Sequence, residues 1–233
     1  MADSERVARW KKTRTITTEK LAIARELLLE IKAGKGVLDA SRSRPMPDGS
    51  IISKAGLVAA YNEMVANGEM DVDTALLEKI RMKPVRTLSG VTTVTVLTKP
   101  YPCPGKCIFC PTDVRMPKSY LPDEPGAMRA LDHEFDPYTQ VRSRLNALDA
   151  LGHPTDKIEL LILGGTWSAY RKDYQEWFIK RCFEAMNHTE DMPSVEGESL
   201  QAAQFENETA LHRNVGLVIE TRPDEITPKE LVR

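Results

Sequence analysis

Three short runs constrain this chain more than any other feature: Val91 to Leu97 (VTTVTVL), Ile158 to Leu163 (IELLIL) and Val215 to Glu220 (VGLVIE). Each is rich in β-branched or aliphatic side chains, the composition of a strand buried on both faces. Segments with helical spacing lie between them. Asp136 and Pro137 start one, Val141, Leu145 and Leu148 mark its buried face, and Gly152 ends it. A second, with Asp173 as its expected cap, carries Trp177, Phe178 and Phe183. Strand, helix, strand, helix, strand is the order of a parallel α/β sheet, in which loops at the carboxyl ends of the strands build the site.

Upstream the pattern is helical throughout. Thr17 or Thr18 is placed to cap a helix through Leu21, Ala24, Leu28 and Ile31, and Gly34 or Gly36 ends it. Arg42 to Ser53 reads as a loop, after which Ser53 caps a second helix through Leu57, Ala60, Tyr61, Met64 and Val65 to Gly68. A short third helix surrounds Leu76, Leu77 and Ile80. The expected fold class is therefore α/β, with a helical domain over residues 1–85, a junction at Lys83 to Arg86, and a parallel-sheet domain over 86–233.

Each strand ends in residues suited to chemistry. Cys103, Cys107 and Cys110 follow the first as C-x3-C-x2-C, with no fourth cysteine nearby. A structural zinc site normally closes with four ligands, whereas an iron-sulfur cluster on three thiolates keeps one iron free for a substrate or cofactor. The alternative is a zinc site completed by His133 or Cys182, although Cys182 falls in a helical pattern where a thiol serves as a small apolar side chain. Gly164, Gly165 and Thr166 end the second strand, either to let a ligand approach the backbone or simply to make a tight turn. Glu220, Thr221 and Arg222 end the third. A guanidinium there can meet a carboxylate at two points, or pair with Glu220.

Charge adds a further clue. Residues 1–100 carry 17 Lys and Arg against 12 Asp and Glu, while the remainder carries 15 against 22. The basic excess includes Arg9, Lys11, Lys12 and Arg14 around Trp10, a patch that would attract a phosphate backbone or else form a solvated amino terminus. Cys182 to His212 contains no Lys or Arg and reads as an acidic surface loop followed by a short helix. No apolar run approaches the ~18 residues of a membrane span, which predicts a cytoplasmic protein with no membrane partner. Four cysteines, three of them clustered, argue for free thiols rather than a disulfide framework.

The cysteine spacing, with Phe109 just before the last cysteine, resembles the loop of the radical S-adenosylmethionine superfamily. A longer series resembles one family within it, the catalytic subunit of Elongator and its single-chain prokaryotic relatives. KPVRTLSG at 83–90, KPYPCPGKCIFCP at 99–111, SYLPDEPGAMRA at 119–130, DPYTQVRSRL at 136–145, LGGT at 163–166 and HRNVGLVIETRPD at 212–224 carry that resemblance. The short cysteine spacing is similar to the prokaryotic branch. Asn214 stands where many relatives have Cys, and Thr166 where many superfamily members have Glu.

The resemblance implies part of a radical S-adenosylmethionine barrel of the TIM type. It also implies a [4Fe-4S] cluster on Cys103, Cys107 and Cys110, and S-adenosylmethionine surrounded by Gly164, Gly165, Thr166, Glu220 and Arg222. The implied reaction carboxymethylates carbon five of the wobble uridine of transfer RNA. A deoxyadenosyl radical takes hydrogen from the methyl group of acetyl-CoA, the carbon radical adds to the base, and thioester hydrolysis follows. Arg9, Lys11, Lys12, Arg14, Lys83 and Arg86 would grip phosphates of the anticodon stem-loop. A reductant for the cluster is a further implied partner, homodimerisation is left open, and no residue is assigned a catalytic role. Tyr120, Tyr138 and Arg144 lie in the motifs and either line the site or pack. Family members continue past the third strand into an acetyltransferase-like domain, so the expectation is a fragment with the acetyl-CoA site outside it, incomplete for turnover. The alternatives are a protein lysine acetyltransferase whose domain is missing, or a nonenzymatic metal-stabilised RNA-binding module.

Overall fold

The computed structural model describes residues 16–46, 49–111, 113–188 and 199–232. The predicted phosphate-gripping residues Arg9, Lys11, Lys12 and Arg14, and the most acidic part of the stretch after Cys182, lie outside the described residues. The chain divides into two units: Met1–Pro84 with Ala150–His153, and Val85–Asp149 with Pro154–Arg233.

The first unit is helical. Helix α1 spans Thr18–Lys32, and the Thr17 hydroxyl accepts from the Lys20 amide at 3.3 Å, satisfying one of the amides that a first turn leaves unpaired. Helix α2, Val37–Ser43, occupies a segment where the sequence suggests a helix end and a loop. Helix α3, Lys54–Ala66, is capped by Ser53 as expected, and α4, Thr74–Ile80, by Asp73. Ala24, Leu27, Leu28 and Ile31 of α1 pack with Leu57, Val58, Ala60 and Tyr61 of α3 and with Leu76 and Ile80 of α4 in one buried cluster. Gly152 closes against this core: a Cβ there would lie 3.0 Å from Leu77 and 3.3 Å from Val58, and its carbonyl accepts from Arg81 Nε at 2.6 Å.

The second unit is a parallel three-stranded sheet with helices. Strand β1 spans Thr92–Leu97, β2 Lys157–Leu163 and β3 Arg213–Ile219, in spatial order β1-β2-β3. Register runs from Thr92 opposite Ile158 to Leu97 opposite Leu163, and an irregularity at Ile158/Glu159 shifts the β2-β3 pairing. Helix α5 spans Pro125–Asp132, α6 Pro137–Asp149, α7 Lys172–Asn187, α8 Leu200–Asn207 and α9 Pro228–Leu231. Val94, Val96, Ile158, Leu160 and Ile162 of the sheet pack with Val141, Leu145 and Leu148 of α6 and with Phe178 and Cys182 of α7. The edge of β1 is closed by a side chain. Buried Gln140 accepts from the Leu97 amide at 2.9 Å and donates to the Leu97 carbonyl at 3.0 Å, as a neighbouring strand would.

Three local expectations change. Helix α5 was not apparent in the sequence, because Pro125 and Gly126 at its start look like turn residues. Helix α7 begins after Arg171, and Asp173 lies inside its first turn, paired with Arg171 at 2.5 Å, rather than at the cap. The strand predicted at 215–220 spans Arg213–Ile219. Among the described residues, the sheet has three strands and does not close into a barrel, and no helix is long and apolar enough to cross a membrane.

Candidate functional site

The site forms where the three strands end. Beyond β1, Thr98 extends the ladder by donating its amide to Leu163 O at 2.9 Å, and its hydroxyl meets Tyr170 Oη at 2.8 Å. Tyr170 also donates to Lys99 O at 2.6 Å, and the Lys99 amide donates to Tyr174 Oη at 3.1 Å. Tyr101 stacks on Tyr170 with ring centroids 4.6 Å apart. These contacts fix where the cysteine loop leaves the sheet. Burial pushes the Tyr170 hydroxyl up to about 12.

At the end of β2, Gly164 and Gly165 both have positive φ, +137° and +97°. A Cβ on Gly164 would lie 1.9 Å from Thr98 Oγ1, so only glycine lets this turn close against the first strand. The turn carries Thr166, whose hydroxyl lies 3.2 Å from Cys103 Sγ. The Gly105 amide also donates to Cys103 Sγ, at 3.4 Å.

The end of β3 reaches the same loop. Arg222 donates from Nη1 to Cys107 Sγ at 3.7 Å, and its positive charge also acts on Cys103. Its guanidinium passes directly over Gly105, where a Cβ would lie 1.3 Å from Nη1. Asp224 holds it from the other side, accepting from Nε at 2.9 Å. Burial alone would raise the Cys103 pKa, but the Thr166 hydroxyl, the Gly105 amide and Arg222 outweigh it, and the net shift is downward. The Glu220–Arg222 ion pair, the alternative to a ligand contact, is absent among the described residues. Glu220 Oε2 instead accepts from Tyr120 Oη at 2.7 Å and from the Gly164 amide at 3.2 Å.

The sequence-predicted residues are therefore brought together unevenly. Cys103, Cys107, Thr166 and Arg222 converge, and Glu220 ties to Gly164. Cys110 Sγ instead lies 3.4 Å from Ser119 Oγ, and among the described residues no three His, Cys, Asp or Glu side chains are grouped closely enough to hold a metal ion. The donor chemistry of the loop fits a sulfur-ligated group: three thiols free of disulfides, one of them drawn toward thiolate. Cys182, weighed as a fourth ligand, is fully buried beside Phe178, and burial pushes its thiol up. Lys83 and Arg86 are both exposed. Tyr170 and Tyr174 were not among the residues singled out from the sequence. Their only signal was the spacing of Tyr174, Trp177 and Phe178 along one face of α7, with Tyr170 just before its start.

A cysteine loop on a parallel α/β sheet, contacted by residues from the other two strand ends, defines the class to which this chain belongs. No protein-family model matches it. It is 45% identical over 217 residues, 90% of this chain and 39% of the other, to the tRNA uridine(34) acetyltransferase of Methanocaldococcus infernus. With the protein of the same name in Methanocaldococcus jannaschii it shares 52% identity over 162 residues, 67% of this chain and 29% of that one. Elongator complex protein 3 of Saccharomyces cerevisiae is 37% identical over 167 residues, again 67% and 29%. A solved structure, "The archaeal Methanocaldococcus infernus Elp3 with N-terminus deletion (1-46)", aligns with a TM-score of 0.44 at 43% identity over 61% of this chain and 25% of that one, too low a score to bear on the fold. Over the matched span, the chain is a homologue of the Elongator catalytic subunit and its single-chain relatives, and it spans 39% of the length of the first of them and 29% of the next two.

Proposed function

We propose that this chain is part of a transfer-RNA wobble-uridine-modifying enzyme, and that Cys103, Cys107 and Cys110 hold a [4Fe-4S] cluster beside an S-adenosylmethionine site at the strand ends. The observation that carries this reading is the convergence of Thr166 from β2 and Arg222 from beyond β3 on the thiols that follow β1. Cys103, Cys107 and Cys110 would hold such a cluster, which when bound would supply the electron for reductive cleavage of S-adenosylmethionine. The chain's own part is positioning. Thr166, the Gly105 amide and Arg222 favour the thiolate of Cys103, the form that ligates a metal. Glu220 is fixed by Tyr120 and the Gly164 amide, which leaves its second oxygen available to a ligand hydroxyl.

The finer reading, carboxymethylation of carbon five with acetyl-CoA as co-substrate, draws on the motif series and on the names of the relatives, and no residue of this chain is assigned to acetyl-CoA. The substrate base must leave its stack to reach the strand ends, and the cytoplasm is the compartment that fits such a substrate. A metal-stabilised RNA-binding module, which would need a closed four-ligand site, is the second reading.

The test is anaerobic reconstitution of the chain and of Cys107→Ala with iron and sulfide, reduction with dithionite, and measurement of 5′-deoxyadenosine released from S-adenosylmethionine. Product from the parent alone supports the enzyme reading. Tight zinc with no cluster overturns it in favour of the second.

A further inference from the structure

The run Lys99-Pro100-Tyr101-Pro102-Cys103 carries the chain from the end of the first strand to the first cysteine. Each proline ring fixes φ at about −65° and restricts the residue before it to extended backbone. The run is therefore a stiff arm with Lys99 at its base and Cys103 at its tip. Among the described residues, Pro100, Tyr101 and Pro102 make no hydrogen bond, so the direction of the arm is decided where it starts.

Both backbone polar groups of Lys99 are held by tyrosines. Tyr170 donates to Lys99 O at 2.6 Å, the Lys99 amide donates to Tyr174 Oη at 3.1 Å, and the two rings stack with centroids 5.1 Å apart. Tyr170 meets the arm at two further points: the Thr98 hydroxyl lies 2.8 Å from its Oη, and the ring of Tyr101 stacks on its own at 4.6 Å. Its hydroxyl also lies 3.4 Å from Gly164 O, at the end of the second strand. Tyr170 is itself fixed from behind. It ends the single turn Trp167–Ala169, and buried Gln175 donates to its carbonyl at 3.2 Å and to Trp167 O at 2.8 Å. Packing alone does not account for this arrangement, because one partner satisfies the hydroxyl of a buried tyrosine. Here both the donor and the acceptor capacity are spent on the base of the arm.

We propose that Tyr170 is a positioning residue: by pinning Lys99 beside the Gly164 turn, it sets where the proline arm places Cys103 relative to Thr166. The inference goes beyond the cluster reading above and rests on it only for the consequence at S-adenosylmethionine. An arm of four residues at ~3 Å each turns a tilt of about 10° at Lys99 into a shift of roughly 2 Å at Cys103. That shift is large against the 3.2 Å between Cys103 Sγ and the Thr166 hydroxyl.

The experiment uses the full chain with Tyr170→Phe, which keeps the ring and removes the hydroxyl, and with Pro100→Ala, which loosens the arm and leaves Tyr170 in place. In metal-free protein, iodoacetamide labelling at a single pH is read by mass spectrometry as the ratio of modified Cys103 to modified Cys110. Tyr170→Phe is expected to lower that ratio roughly three- to tenfold, the scale of one lost hydrogen bond, and Pro100→Ala to lower it in the same direction. After reconstitution with iron and sulfide, calorimetry should show S-adenosylmethionine affinity weakened by a similar factor at equal cluster content. A folded Tyr170→Phe protein that matches the parent in both readouts overturns the positioning role, even if its melting temperature falls, since a core residue would show that fall alone. If Tyr170→Phe does not fold, Pro100→Ala decides: a labelling ratio equal to the parent's overturns the role, and a lowered one supports it. A parent that takes up no cluster overturns the cluster reading instead, and the labelling ratio, measured without metal, still decides the role of Tyr170.

Discussion

The floor of the sheet unit and its rim are built on the same three strands, yet they treat the same chemical group in opposite ways. On the floor, Cys182 is sealed among Phe178 and the sheet residues, and its thiol is held neutral. On the rim, Cys103 is surrounded by a hydroxyl, an amide and a guanidinium, and its thiol is drawn toward the charged form. Neither outcome is a property of cysteine. Dry hydrocarbon packing supplies stability and leaves the thiol inert, whereas polar donors delivered by distant strand ends supply reactivity at some cost in stability.

The largest expected effect is on the floor. Phe178→Ala should lower unfolding free energy by about 3–5 kcal/mol in urea or thermal denaturation, because Phe178 is fully buried at the centre of the sheet core. Labelling of Cys103 in the folded fraction should not change. A loss under about 1 kcal/mol would mean that the floor collapses around the cavity and is less rigid than the rim.

Gly164→Ala tests whether the rim depends on its turn. With φ at +137° and Thr98 Oγ1 at 1.9 Å from the new methyl group, it should destabilise by about 1–3 kcal/mol and separate Thr166 from Cys103. The readout is the Cys103 alkylation rate, which should slow at neutral pH. An unchanged rate would remove the turn from the activation of that thiol.

Tyr120→Phe removes the hydroxyl that donates to Glu220, at a cost of about 1 kcal/mol for one half-exposed charge-assisted bond. If Glu220 contacts S-adenosylmethionine, affinity for it by calorimetry should weaken by several-fold while thiol labelling stays the same.

The smallest effects separate the two thiols by pH. Iodoacetamide should modify Cys103 with a midpoint below the ordinary thiol value of 9.0, and Thr166→Val should move that midpoint upward, as read by mass spectrometry of the labelled peptide. Cys182 should resist labelling until the protein unfolds. Its folded pKa lies above the unfolded one, so its contribution to stability is complete below pH 9.0 and is lost as pH rises further. A Cys182→Ala variant should show a shallower decline in melting temperature above that pH.

Much of the fold was legible because periodicity is local. The three strands and the helices capped by Thr17 and Ser53 followed from residues a few positions apart. Helix α5 was hidden because its proline and glycine serve at its first turn, where neither breaks a helix. The site was legible as a set of candidates but not as contacts. Thr166 and Cys103 are 63 positions apart, and Tyr120 and Glu220 are 100 apart, so only the parallel stacking of strand ends brings them within reach. The contacts of Arg222 with Cys107 and of Glu220 with Tyr120 were missed for the same reason, whereas the Arg222–Asp224 pair, two positions apart, is local.

The amide of Gln140 has an effect beyond the stability of one strand. By mimicking a peptide group opposite Leu97, it makes the sheet polar in a new sense: the end of β1 nearest the cysteine loop cannot be zipped onto an incoming chain, while β3 presents Val215, Leu217 and Val218 to the outside at its own border. An added strand would therefore find free backbone groups along β3, on the side away from the cysteine-bearing strand.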